Sequence, residues 1–246
     1  MSSGVPDAWR ADPDETLALL SAGEMELVGL MPNASNYTFL AELRDGDRRA
    51  LAVYKPRDGE MPLWDFPEGT LHRREVAAYE LASALGWPGV PPTVLRDGPH
   101  GPGSVQLFVE SDPQQHFFTM RDARLGDFRT VALFDVVANN ADRKAGHCLL
   151  GADGSIWVID HGVCFADTPK LRTVIWEFAQ EPIPTGLLSD LVRVASELHD
   201  GEVRERLLAL LSPREVDAAA RRADALVSAA SFPEPGPGRP YPWPPV

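Results

Sequence analysis

The sequence predicts an α+β chain of two parts, a small strand-rich N-terminal half and a helical C-terminal half. Three observations predict it. Between Glu24 and Glu110 the apolar residues fall in short strand-length runs, interrupted by one helical stripe at Leu71–Leu85. From Leu187 onward they recur at helical spacing in three successive blocks, 187–199, 203–211 and 214–230. Between the halves lies Ser111 to Gln115, polar and proline-bearing, with the look of a hinge.

The elements follow in order. Residues 1–24 read as an N-terminal extension, with helical spacing from Asp14 to Ala22. Glu24–Met31 reads as a short strand, Pro32 to Asn36 as a turn, and Tyr37–Leu43 as a strand. Arg44–Asp47 turns the chain into a returning strand, Ala50–Tyr54. Pro56 has no N–H to give a ladder, so that strand is expected to stop at Lys55. Leu71, Ala78, Ala82 and Leu85 line one face of a helix that Gly86 stops, with Glu75 in its first two turns. Val94–Leu95 and Ser104–Glu110 are two more strands. The predicted divisions are a first lobe over 25–112, a second over 113–231, and a tail over 232–246. The tail is nearly half proline and reads as an extended segment outside both lobes. Ser212 before Pro213 is a helix start: a capping hydroxyl, then a proline in the first turn.

The stretch from Leu133 to Phe165 organises the second half. It reads as a helix end, a polar loop over Asn139–Gly146, and two apolar strands joined by a turn at Gly151–Ser155. Antiparallel pairing then brings Asp142, before the first strand, and Asp160, after the second, to one end of a hairpin. Two carboxylates held close repel, and oxygen ligands of this kind suit Mg²⁺.

Composition excludes several classes. A formal net charge of −13 over 246 residues argues against nonspecific binding to nucleic acid or anionic lipid surfaces. Cys148 and Cys164 have no metal-ligand spacing, so they read as small buried hydrophobes in a reducing cytoplasm. The N-terminus lacks the pattern of a secretion signal, and no apolar run is long enough for a transmembrane segment.

Four segments in order resemble the atypical kinases, the phosphatidylinositol 3-/4-kinase-like and HipA-like branch of the protein-kinase fold. They are Val-Tyr-Lys at 53–55, Glu75 with Leu81-Ala82 and Gly86, Asn-Ala-Asp-Arg at 140–143, and Ile-Asp-His-Gly at 159–162. More narrowly, the chain is similar to an actinobacterial family of phosphatidylinositol-kinase-related proteins, over about residues 25–180. The resemblance implies a two-lobed kinase-like fold that binds ATP and Mg²⁺. It implies that Lys55 reaches the α- and β-phosphates, that Glu75 pairs with Lys55, and that Asp142 orients or deprotonates an acceptor hydroxyl. Arg143 would balance the acidic cluster and Asp160 would hold the metal. Adenine would lie against backbone groups of Phe108, Val109 and Glu110, walled by Val53 and Ile159. Ser35 and Asn36 would cover the phosphates.

Two departures matter. An asparagine is expected five positions after the catalytic aspartate as second metal ligand, and this chain has His147, whose imidazole suits Mn²⁺ and other transition metals better. The phosphate-covering loop has only Gly29 nearby. Three readings therefore stand: phosphoryl transfer to a hydroxyl on a protein, lipid head group or small molecule; a nucleotide-binding pseudokinase; and AMP transfer. With Lys170 and then Arg172, the segment after Asp160 is only mildly basic, so no acceptor class is favoured.

Overall fold

The computed structural model describes residues 13–32 and 36–246, so the expectation for Ser35 lies outside the described residues. Chain contacts divide it into two units. One contains the residues up to Val76 and Pro91–Val109, the other Ala77–Val90 and Glu110–Val246. The contact boundary thus falls at Val109, not at residue 112, and the second half of a helix goes with the C-terminal unit.

The first unit is an antiparallel sheet with one helix packed on it. Helix α1 is Pro13–Ala22; the strands are β1 (Glu24–Leu30), β2 (Phe39–Asp45), β3 (Arg48–Pro56), β4 (Thr93–Gly98) and β5 (Gly101–Leu107). Their order is β1-β2-β3-β5-β4, every pair antiparallel. Successive side chains of a strand point to opposite faces. Ala52 and Tyr54 accordingly join Leu19, Leu20, Leu43, Val105 and Leu107 in the core under α1, while half-buried Val53 and Lys55 occupy the other face.

Strand β3 runs past its expected end. Pro56 lies opposite Gly103 of β5, but β2 ends with Phe39 opposite Tyr54. Beyond Tyr54 the strand is paired on one side only, which is where a residue without an N–H is tolerated. Gly103 is required there, because a Cβ would sit 2.5 Å from the carbonyl of Lys55.

Helix α2 is Leu71–Leu85, as its apolar stripe predicts. Its later residues Ala77, Ala78, Leu81, Ala82 and Leu85 belong to the core of the second unit. They pack there with residues of α4 (Leu125–Ala138), α5 (Thr185–His199), α6 (Glu202–Leu208) and α7 (Pro213–Ala229); α3 is the single turn Phe117–Met120. Strands β6 (Cys148–Leu150) and β7 (Ile156–Val158) form the expected hairpin. Ser212 caps α7 by accepting from the amide of Glu215, whose carboxylate returns the bond to the amide of Ser212.

The proline-rich tail is bonded to the second unit along its length, where an extension outside the lobes was expected. Phe232 exchanges backbone bonds with Gln180 and Glu181, the carbonyl of Pro240 accepts from Thr173 N and Trp176 Nε1, and the carbonyl of Pro245 accepts from Ala145 N at 2.8 Å.

Candidate active site

In the first unit, Lys55 and Glu75 form an ion pair that leaves the glutamate side chain 3% exposed. The helix that carries Glu75 is fixed by a residue the sequence reading passed over. Glu60 accepts from the amides of Leu71 and His72 at 3.1 and 2.8 Å and faces the His72 ring at 2.6 Å. A carboxylate at a helix N-terminus also meets the positive end of the helix dipole. Burial pushes the Glu60 carboxyl up, but the bonds from His72 and Leu71 outweigh it and leave it below the ordinary range. Glu80, the other carboxylate on α2 that could serve Lys55, is bound instead to Arg206 at 2.9 Å. Arg74 is buried with its guanidinium 5.0 Å above the Phe66 ring.

Asn36 accepts from the amide of Met61 at 2.8 Å, which ties its side chain to a neighbouring loop rather than leaving it for a ligand. The amide of Phe108 donates to the carbonyl of Leu51 at 2.9 Å, so Phe108 can offer adenine its carbonyl but not its N–H.

In the second unit, α4 ends at Asn139 in the left-handed conformation (φ 51°). The Asn139 side chain is consumed locally: its amide donates to the carbonyls of Ala166 and Thr168, and its oxygen accepts from Lys170 N. Asn140 donates to Asp135 and accepts from the amide of Asp142, a local turn that sets the direction of the aspartate. Asp142 is half-buried with its Oδ2 3.3 Å from Lys144 Nζ. Burial pushes its carboxyl above the usual aspartate range and the nearby Asp160 charge adds to this, against the pull of Lys144 and Arg172. The two carboxylates therefore do feel each other.

That shift carries a stability prediction. The folded chain holds the Asp142 proton more tightly than the unfolded chain. Its stabilising contribution is full below the unfolded pKa of about 4 and is lost as pH rises through the folded value. Asp142→Asn is expected to raise Tm at about pH 7 and to lose that advantage near pH 3.5. Thermal unfolding at the two pH values checks it, and an unchanged or lower Tm at pH 7 contradicts it.

Asp160 stands at φ 62°, where L residues are strained, and its side chain is 51% exposed. A residue held in that region beside a second carboxylate is a mark of a functional position. Mg²⁺ takes one or two carboxylates and completes its shell with phosphate oxygens and water. The donor set fits that use. Among the described residues no cluster of His, Cys, Asp and Glu is arranged to hold a metal unaided.

One expected role is corrected. Arg143 does not stand at the acidic cluster. It is fully buried, with Nε and Nη2 on the Asp135 carboxylate at 2.9–3.1 Å, Nη1 on the carbonyl of Ile159 at 3.0 Å, and Nη2 2.8 Å from His161 Nε2. Arginine only donates, so His161 accepts on that nitrogen. Arg143 thus braces the loop carrying Asp142 against the carbonyl beside Asp160. The sequence signal was Asp135 itself, a carboxylate inside the apolar run of α4, which burial obliges to find a cation. His147 stands beside Asp160. Lys144 N points at its Nδ1 from 3.4 Å, which leaves Nε2 to carry the proton, 3.3 Å from Asp160 Oδ2. Val53 and Ile159 are half-buried, and the Ile159 amide donates to the carbonyl of His147.

No helix among the described residues is long and apolar enough to cross a membrane. No family model matches the chain. The solved Golgi casein kinase matches with a TM-score of 0.56 at 16% identity over 91% of this chain and 78% of its own. The same kinase with Mn/ADP bound matches at the same score over 88% and 75%. The fold is therefore that of the protein kinases, an antiparallel sheet unit and a helical unit. Phosphatidylinositol 4-kinase gamma 4 of Oryza sativa subsp. japonica is 30% identical over 63% of this chain, which spans about a third (32%) of that protein's length. Protein Rv2133c of Mycobacterium tuberculosis is 40% identical over 94% of this chain and 95% of its own. The chain belongs to the family of that mycobacterial protein, with a kinase-like fold.

Proposed function

We propose that the chain is an ATP-dependent phosphotransferase of the phosphatidylinositol 3-/4-kinase-like branch, moving the γ-phosphoryl of ATP to a hydroxyl acceptor. The observation that carries the reading is the Lys55–Glu75 ion pair, a strand lysine held by a buried helix carboxylate whose helix is itself capped by Glu60. In phosphoryl transfer the protein supplies positioning and charge neutralisation more than covalent chemistry. Lys55 neutralises charge on the α- and β-phosphates, and Glu75 keeps its ammonium in place. Asp160 would hold Mg²⁺, which when bound would supply charge neutralisation for the phosphates. Asp142 accepts the proton of the attacking hydroxyl, a task its raised affinity for protons suits. Val53, Phe108, Val109, Glu110 and Ile159 are assigned to the nucleotide. The likeness to the plant phosphatidylinositol 4-kinase supports the branch, and two buried cysteines outside any disulfide fit a cytoplasmic setting.

One observation favours a second reading, a nucleotide-binding pseudokinase: a histidine, His147, stands 3.3 Å from Asp160 where an asparagine is expected as second metal ligand. Incubation with γ-labelled and α-labelled ATP, with Mg²⁺ or Mn²⁺, separates the readings. A phosphotransferase labels its product from the γ position only. Label from the α position would mean AMP transfer. No transfer, with a nucleotide-dependent rise in Tm, would overturn the enzyme reading in favour of the pseudokinase.

A further inference from the structure

The segment after Asp160 carries few cations of its own, yet the second unit gathers others around it. A groove of about 760 Å³ is lined by Lys170 and Arg172 of this segment, Arg221 and Arg222 of α7, and Arg239 of the tail. Only Asp167 and Glu234 oppose them, and Glu234 is engaged by Gln180. Five cations against two carboxylates is a local excess in a chain of net charge −13.

Arg222 serves the fold with two of its nitrogens and leaves the third over. Arg222 gives Nε to the carbonyl of Val137 at 2.8 Å and Nη1 to that of Ala166 at 3.3 Å, while its buried Nη2 has no partner among the described residues. With no carboxylate at ion-pair distance, burial holds its pKa down to about 10. A buried cation without a counter-charge is costly, and an anion beside it removes the cost. Arg239 stands 5.7 Å over the ring of Trp243. The backbone of Arg172 is bonded to Asn140 and to Arg143, on either side of Asp142, so the groove borders the residue assigned to the acceptor.

We propose that this groove binds a phosphate ester, the anionic part of the acceptor whose hydroxyl Asp142 serves. Guanidinium groups match phosphate oxygens bidentately, and four of the five cations are arginines. The inference rests on the phosphotransfer reading for the word acceptor, but the site itself does not. The ester is either a soluble metabolite or a lipid head group, two sources of one chemistry.

The test uses the full chain without nucleotide. Glycerol 3-phosphate is titrated calorimetrically, and co-sedimentation is measured with phosphatidylcholine vesicles with and without phosphatidic acid. Saturable binding to either phosphate ester is expected, weakened tenfold or more in Arg221→Ala/Arg239→Ala. Both arginines are exposed at the groove, so the variant keeps the fold, whereas Arg222→Ala is at risk of unfolding. Binding in the soluble arm alone assigns a free phosphate ester, and binding to phosphatidic acid vesicles alone assigns a head group. No binding in either arm, or binding unchanged in the double variant, overturns the proposal. Ester binding without transfer from labelled ATP sinks the enzyme reading and leaves the groove, whereas transfer without ester binding sinks the groove alone.

Discussion

Asp142→Asn is expected to lower phosphoryl transfer by roughly 10²–10⁴-fold, the usual contribution of a positioned acid–base group. The amide keeps the shape of the carboxylate and its bond from Lys144, but it takes no proton from an attacking hydroxyl. The same substitution removes a half-buried charge and is expected to raise Tm, so activity and stability move in opposite directions. That opposition distinguishes a chemical role from a structural one. Steady-state rates with labelled ATP, read beside the melting curve, decide it. Transfer within about threefold of the native rate would remove Asp142 from the chemistry.

Arg143→Ala is expected to destabilise the second unit by about 3–5 kcal/mol, because it leaves the Asp135 carboxylate buried without its cation. For a chain of this size that corresponds to a fall in Tm of roughly 6–20 °C. Asp135→Ala should cost a similar amount, since the guanidinium is then the stranded partner. The pair Asp135→Leu/Arg143→Met should recover part of the loss and not all of it, because Arg143 also donates to the carbonyl of Ile159. Calorimetric or circular-dichroism melting measures all three. A fall of less than about 2 °C in Arg143→Ala would mean the buried pair does not brace the loop.

The two substitutions test two halves of one statement. In the proposed reading Asp142 does the chemistry, and Arg143, its neighbour in sequence, holds the backbone that presents it. Adjacent residues in a loop point in different directions, so a motif of four letters contains both a reactive group and its scaffold. The resemblance at 140–143 gave both residues to the site, and only the side-chain geometry separates them.

Much of the fold was legible because its elements are stated locally. The stripe of α2 with Gly86 behind it, the hairpin turn at Gly151–Ser155, and Ser212 before Pro213 all carry their own signals, and each element forms where it was expected. Pro56 misled because its cost depends on a neighbour: the missing N–H matters only if a strand lies on that side, and β2 ends opposite Tyr54. The tail misled for a related reason. Extended proline-rich chain has no internal hydrogen bonds, so its composition reads as unattached, yet its carbonyls still accept from Thr173 and Ala145.

The candidate site divides the same way. Lys55 and Glu75 are 20 residues apart, and their pairing was accessible through the resemblance rather than from spacing. Glu60 escaped notice because it lies in an irregular segment, and a cap supplied from eleven residues away leaves no local pattern. His147 enters the site by its position in the motif, and its contact with Lys144 N is a backbone contact no sequence pattern displays. The cations of the groove come from three separated stretches, 170–172, 221–222 and 239, so no window of the sequence looks basic.

The central claim is that the chain holds the triphosphate of ATP through Lys55 and through a metal ion on Asp160. It is tested most directly by calorimetric titration of a non-hydrolysable ATP analogue, with Mg²⁺ or with chelator, into the native chain, Lys55→Ala and Asp160→Ala. The account predicts one site that needs the metal and is weakened tenfold or more by either substitution. Equal affinity in all three proteins, or in the native chain with and without the metal, would contradict it.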